Sequence, residues 1–415
     1  MLLFFSGLSN NTQTNYNTMK LNKFTQLTAL SMSLLGASSA AASNDALLDL
    51  LVQKGVLSSA EATSVAAELK GDSRVSFSSK GKETVKLRFN GRMHYQYDSL
   101  DAENGSAEQA STNHFYFRRL RVGFKAEHKS GLYADTVLNF ADSDFSLVTA
   151  IAGYKYSDAL NVGLGFQKVP FGFQETTSSS KIKTIERSAA NRFFADDIDF
   201  SSNHTGIHAK GNLAGGFSYA AAVTNAVQGE GSKLGGSANA DNDLAAYGRV
   251  QWKNDSGLLL GFDAGSQSNS ILKTNDDGDP VITEDVVAYT GYVNYKLNGF
   301  DLLGEYFSGD LGGQGDVDGY AVRLAYKAGK FEPVFRYSHL KADKFEIDTD
   351  ELIRRAPSVK VSGDNAEIDS YYFGVNYYAS KAVSLMVGYE LAEAENDGGD
   401  SNDVDGVRAR MQILW

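Results

Sequence analysis

Arg119-Leu120-Arg121-Val122-Gly123-Phe124-Lys125-Ala126 alternates without a break. Successive side chains of an extended chain point to opposite faces. Leu120, Val122, Phe124 and Ala126 therefore share one face, and Arg119, Arg121, Gly123 and Lys125 the other. The same period of two runs on both sides of this stretch. Upstream, Val85, Leu87, Phe89, Met93 and Tyr95 alternate with Lys86, Arg88, Asn90, Arg92 and His94. Downstream, Leu160, Val162, Leu164 and Phe166 alternate with Asn161, Gly163, Gly165 and Gln167, and the pattern recurs through 371–378 and 383–390. One face is apolar and aromatic; the other is polar or glycine.

Connections alternate as well. Short turns are read near Lys129-Ser130-Gly131, Ser157-Asp158, Asn254-Asp255-Ser256, Asn298-Gly299, Ala328-Gly329 and Ser380-Lys381. Long loops fall near 101–113, 170–202, 227–243, 268–284, 309–318, 342–366 and 393–405. Short turns at one end and long loops at the other are the pattern of an outer-membrane barrel. Sixteen strands are predicted, starting near 84, 114, 132, 145, 160, 203, 216, 244, 257, 285, 299, 318, 330, 366, 382 and 405. A soluble sandwich or propeller would show the same alternation. Three features favour the membrane: glycines on the polar face, aromatics near strand ends, and a last strand Val407-x-Ala409-x-Met411-x-Ile413-x-Trp415 ending on an aromatic. The fold class is thus all-β, a transmembrane antiparallel β-barrel of about 16 strands with a short N-terminal helical segment. A barrel of that size encloses a water-filled channel.

Composition narrows the function. The 415 residues carry a formal charge of −12 and no cysteine. No disulfide scaffold, zinc ribbon or cysteine nucleophile is available, and an acidic chain without a basic tract does not suit nucleic acid. Helical membrane spans are excluded after the N-terminal region, since no apolar run reaches 18 residues. Residues 1–42 read as a secretory signal: Met19-Lys20-Leu21-Asn22-Lys23 is positive, 24–35 mostly apolar, and Ala40-Ala41-Ala42 precedes a cleavage site before Ser43, with Met19 the expected start. Residues 43–83 read as a periplasmic helical segment and polar linker, and 84–415 as the barrel. The expected location is the outer membrane of a Gram-negative bacterium, in contact with lipid and lipopolysaccharide.

Parity assigns the channel lining. Lys86, Arg88, Arg92, His94, Arg119, Arg121, Lys125, Lys210, Arg249, Lys296, Arg323, Arg336, Arg408 and Arg410 face inward, against Glu127, Asp135, Asp263, Asp301, Glu305 and Glu390. The wall is basic while the loops carry the negative charge, an arrangement that selects anions. These arginines could instead pair with acids on neighbouring strands and brace the wall. The long loop at 170–202 adds Lys181, Lys183, Arg187 and Arg192 behind Ser178-Ser179-Ser180. Folded inward, it would form a constriction in which guanidinium groups grip oxyanions in a forked geometry.

Four stretches resemble the phosphate-selective porin O/P family. They are Leu87-Arg88-Phe89-Asn90-Gly91-Arg92, Tyr116-Phe117-Arg118-Arg119, Leu164-Gly165-Phe166-Gln167 with Pro170-Phe171-Gly172, and Thr177-Ser178-Ser179-Ser180-Lys181 followed by Glu186-Arg187-Ser188-Ala189-Ala190. The resemblance runs from about 84 to 211 and implies a homotrimeric 16-stranded porin that passes phosphate or other small anions. It puts Arg92, Arg119, Lys181 and Arg187 at the constriction. Arg118 matches the motif, but parity points it outward with Leu120 and Val122 unless a bulge or the strand end turns it. Including the parity assignment of Arg121 and the loop position of Lys183, the expected substrate set is Arg92, Arg119, Arg121, Lys181, Lys183 and Arg187. A general or dicarboxylate porin is the alternative. No cofactor or metal is expected: His204 and His208 on one strand stand roughly 13 Å apart, and no serine has an elbow or partner that would make the barrel an enzyme.

Overall fold

The computed structural model describes Val52, Ser58 and residues 75–78, 85–104, 109–141, 145–226, 243–274, 280–399 and 401–415. The chain divides into two units, Met1–Glu68 and Leu69–Trp415, and the barrel belongs to the second. The signal sequence at 1–42, the helical segment and linker at 43–83 and the loop at 227–242 lie outside the described residues, Val52, Ser58 and 75–78 apart.

Sixteen strands form one antiparallel sheet closed on itself. In chain order they are β1 (Val85–Asn104), β2 (Gln109–His128), β3 (Leu132–Asn139), β4 (Ser146–Lys155), β5 (Asn161–Lys168), β6 (Asn203–Asn212), β7 (Phe217–Asn225) and β8 (Leu244–Lys253). Next come β9 (Leu258–Thr274), β10 (Pro280–Leu297), β11 (Phe300–Asp310), β12 (Asp316–Tyr326), β13 (Phe331–Ala342), β14 (Ala366–Tyr378), β15 (Val383–Glu395) and β16 (Ser401–Leu414). Each pairs with its neighbours in sequence, and β16 closes on β1 through Asn402↔Asn104 to Leu414↔Arg92. Closure leaves no sheet edge to lipid, the condition for β-structure in a membrane. The short end turns on residues suited to it: Asn298 and Gly299 both have positive φ, 49° and 87°, the two-residue hairpin that matches strand twist.

The faces are reversed relative to a water-soluble protein. Leu164, Ile207, Val250, Phe262, Leu302, Leu324, Phe373 and Val375 are exposed, whereas His94, Arg119, Arg336, Arg408 and Arg410 are buried inside. Two aromatic belts bound the apolar band. Phe300 packs on Tyr326 and Phe331 on Tyr377 in one belt; Tyr320 packs on Tyr337 and Tyr337 on Tyr371 in the other. On each of these strands the belts are six residues apart, about 20 Å along the strand, close to the ~25 Å apolar band of outer-membrane barrels.

Within the stretch at 43–83 one segment is extended. Val75–Ser78 is a strand pairing with β1, Val75↔Phe89 to Ser78↔Lys86. It extends the ladder where β16 ends opposite Arg92, so these backbone groups of β1 are not left unpaired. The lumen is also less uniformly wet than sixteen strands alone predict. Residues 169–202 fold inside as α1 (Phe173–Thr176), α2 (Ala189–Arg192) and a π-helical turn, Phe193–Asp197. Ser188 caps α2 by accepting from the Asn191 amide. Phe171, Phe193, Phe194 and Phe200 bury an apolar cluster against Val286, Phe307, Val317 and Leu340 of the wall. Burial at roughly 25 cal/mol per Å² of apolar surface holds the loop against that wall.

Candidate functional site

The space beside the in-folded loop lies toward β1–β8. One cavity of about 390 Å³ is lined by Arg92, Arg118, Arg119, Arg121, Val148, Thr149, Lys168, Ser178, Ser179 and Arg187, among others. Arg192, Arg354, Glu175 and Asp196 complete its charged lining. Eight cations thus face two carboxylates. A second cavity of about 730 Å³ carries Lys125, Lys155, Lys210 and Arg249 with Glu127, Asp135 and Asp158, and adjoins the first at Thr149.

The Arg118-Arg119 pair reaches this cavity through a break in the alternation. His94 pairs with Arg119, but Tyr95 pairs with Phe117, so Arg118 is an extra residue on β2. Such a bulge turns the strand by one step. Phe115 and Phe117 stay exposed on one side of it and Phe124 on the other, while Arg118 and Arg119 both point inward. The outward placement of Arg118 read from parity is thereby overturned.

Inward cations fall into two groups. Most are braced by acids. Arg249 binds Asp263 at 2.6 Å, Arg323 binds Asp301 at 2.7 Å, and Arg336 pairs with Glu390. Glu186 is the joint of the loop: Arg118 Nε and Arg410 Nη2 both lie 2.9 Å from its Oε1. Its carbonyl accepts from Arg336 Nη1 at 2.9 Å. Burial opposes the Glu186 charge, but Arg118, Arg410 and Arg119 outweigh it and hold the carboxyl well below the usual range.

On the wall strands lining the cavity, Arg92, Arg119 and Arg121 form the other group. None has a carboxylate partner among the described residues. Arg92 donates to Ser179, and to Ser178 at 3.2 Å. Nε of Arg92, Nε and Nη1 of Arg119, and Nε of Arg121 are buried with no hydrogen-bond partner among the described residues. Buried guanidinium donors without acceptors are costly, and an anion in the cavity would supply the acceptors.

The other predicted site residues lie differently. Arg187 lines the cavity, but its guanidinium donates to the carbonyls of Gln174 at 2.8 Å and Thr177 at 3.1 Å and lies 3.3 Å from Glu175. It shapes the loop's turn. Lys183 points to the far wall, pairing with Glu332 and lying 3.6 Å from Asp301. Lys181 is exposed and does not line the cavity.

A model of the phosphate-selective porin O and P family matches residues 87–278 and 271–415. The chain belongs to this family. It is an outer-membrane porin, and the closed barrel with an in-folded loop is its channel. An uncharacterized protein of Aquifex aeolicus (strain VF5) is 25% identical, across 89% of this chain and 94% of its own length. An anion-selective porin from Comamonas acidovorans shares the fold with a TM-score of 0.56 at 13% identity, covering 79% of this chain and 99% of that one. OmpT of Vibrio cholerae, solved in a trimer form, gives 0.52 at 13% identity, covering 80% and 99%. Sequence reasoning about the porin missed three contributors: inward Arg118, Lys168 and Arg354. The doublet Arg118-Arg119 was the available signal for the first, since two adjacent charges cannot both face a lumen without a bulge.

Proposed function

We propose that this porin passes small anions, phosphate foremost, between the in-folded loop and the β1–β5 wall. The observation that carries the reading is the trio Arg92, Arg119 and Arg121, which faces the 390 Å³ cavity with no carboxylate partner among the described residues. Three guanidinium groups on one side of a confined, partly dehydrated space raise the local concentration of anions and repel cations. A phosphate there would exchange part of its hydration for forked hydrogen bonds. Binding has to stay weak enough for release. The cavity also admits anions larger than phosphate, which keeps a general or dicarboxylate porin as the second reading.

The barrel is read as a diffusion channel with no catalytic role, assembled as a homotrimer, with its apolar band against lipid and lipopolysaccharide. The experiment is reconstitution in planar bilayers. Zero-current potential in a KCl gradient reads selectivity, and added phosphate should reduce chloride current. Equal reduction by succinate and phosphate would favour the second reading.

A further inference from the structure

A second loop reaches the same cavity. Residues 343–365, between β13 and β14, fold back into the barrel. Ile347–Asp348 pairs with Lys360–Val361, and α3 (Thr349–Leu352) begins at Asp348, whose side chain accepts from the Asp350 amide at 2.9 Å. Phe345 packs edge-on against Phe193 of the first loop, centroids 5.3 Å apart.

The backbone after α3 is fixed from two sides. Arg408 Nη2 on the wall donates to the carbonyls of Ile353 at 2.9 Å and Arg354 at 2.5 Å. The Arg355 amide donates to Asp350 Oδ1 at 3.0 Å. Arg355 has a left-handed φ of 68°, rare for a residue with a Cβ. That conformation sends two adjacent arginines to different places. Arg355 lies 5.2 Å over the Tyr116 ring, whose hydroxyl donates to Asp98 at 2.5 Å. Arg354 lines the cavity with Arg119 and Arg121. Among the described residues its Nε is buried without a hydrogen-bond partner, and it forms no ion pair.

We propose that Arg354 is a specificity-determining residue of permeation, so that two loops and the wall together build the constriction. Arg408 acts as its positioning residue. The inference rests on the anion reading of the cavity, and its test is chosen to fail separately from that reading.

The chain has no cysteine, so R354C carries a single thiol that methanethiosulfonate reagents modify alone. R354C and R354Q, purified whole and reconstituted, should both shift the zero-current potential toward cations. A cationic trimethylammonium reagent on R354C should move the potential back, and an anionic sulfonate reagent should move it further and lower chloride conductance. Complete modification, verified by mass, with no change in potential overturns the proposal. So does an equal effect of both reagents, which would mean steric obstruction alone. A parent protein that is itself unselective or cation-selective instead overturns the anion reading.

Discussion

Among the arginines that the strands of the wall turn into the cavity, Arg92, Arg119 and Arg121 are set apart by having no carboxylate partner among the described residues. Hydrogen bonds to charged groups contribute about 1.5–3 kcal/mol each. Replacing Arg119 or Arg121 by Glu should therefore weaken phosphate block of chloride current about tenfold or more, with the zero-current potential moving toward cations. Arg119→Lys should fall between parent and Arg119→Glu, since it keeps the charge and loses the fork. Lys183→Ala is the contrast. Its ammonium is held by Glu332, so the change should leave the potential unshifted; a shift as large as that of Arg119→Glu would put Lys183 in the path. Arg119 and Arg121 were legible from parity. Lys183 was not, because spacing within a loop says nothing about which wall a side chain meets. Arg118 was hidden by the bulge at His94 and Tyr95, which parity alone cannot see.

Two elements decide whether the site is held open. In the loop at 169–202, Glu186 joins Arg118 and Arg410. Glu186→Gln leaves two buried guanidinium groups short of a charge partner, a loss of about 3–5 kcal/mol in comparable pairs. The barrel ladder is untouched, so the variant should still fold and run as a heat-modifiable band, with noisier single-channel current and faster proteolysis within the loop. The carboxyl is held below its ordinary value. Its contribution is therefore complete above the unfolded value near 4.3 and is lost only as pH falls through the lower folded one. The parent–variant difference in proteolysis should persist from pH 8 to pH 5 and close only in stronger acid. At the closing strand, the Trp415 ring lies over Gly91, where an added Cβ would come within 2.0 Å of the indole, and the two backbones exchange hydrogen bonds of 2.8 and 3.2 Å. Gly91→Val and Trp415→Ala should each lower the yield of assembled barrel, and the double variant should be little worse than either. Additive losses would mean that the two act separately. Strand starts were legible within about a residue or two at most of the sixteen strands. They were placed four or five residues late at Gln109, Pro280 and Ser401, where both faces turn polar and the alternation fades.

The whole molecule is a barrel filled unevenly. An apolar cluster built on Phe171, Phe193, Phe194 and Phe307 occupies one side, and two adjoining cavities, the smaller of them strongly basic, occupy the other. Barrel, strand number and inward basic face could be read from period-two alternation, because outward side chains must satisfy lipid at every second position. The filling could not, since an inward Phe307 or Leu340 is inconspicuous in strands of mixed polarity. The proposed assignment puts ionic selectivity on one side of the lumen, with the braced arginines holding its shape. The most direct test is the zero-current potential of the reconstituted porin in a KCl gradient, taken for the parent and for the Arg119→Glu, Arg121→Glu double variant. The expected result is a chloride-selective parent whose potential moves most or all of the way to the cation side in the variant. A parent without anion preference, or a variant as anion-selective as the parent, would contradict the assignment of selectivity to these arginines.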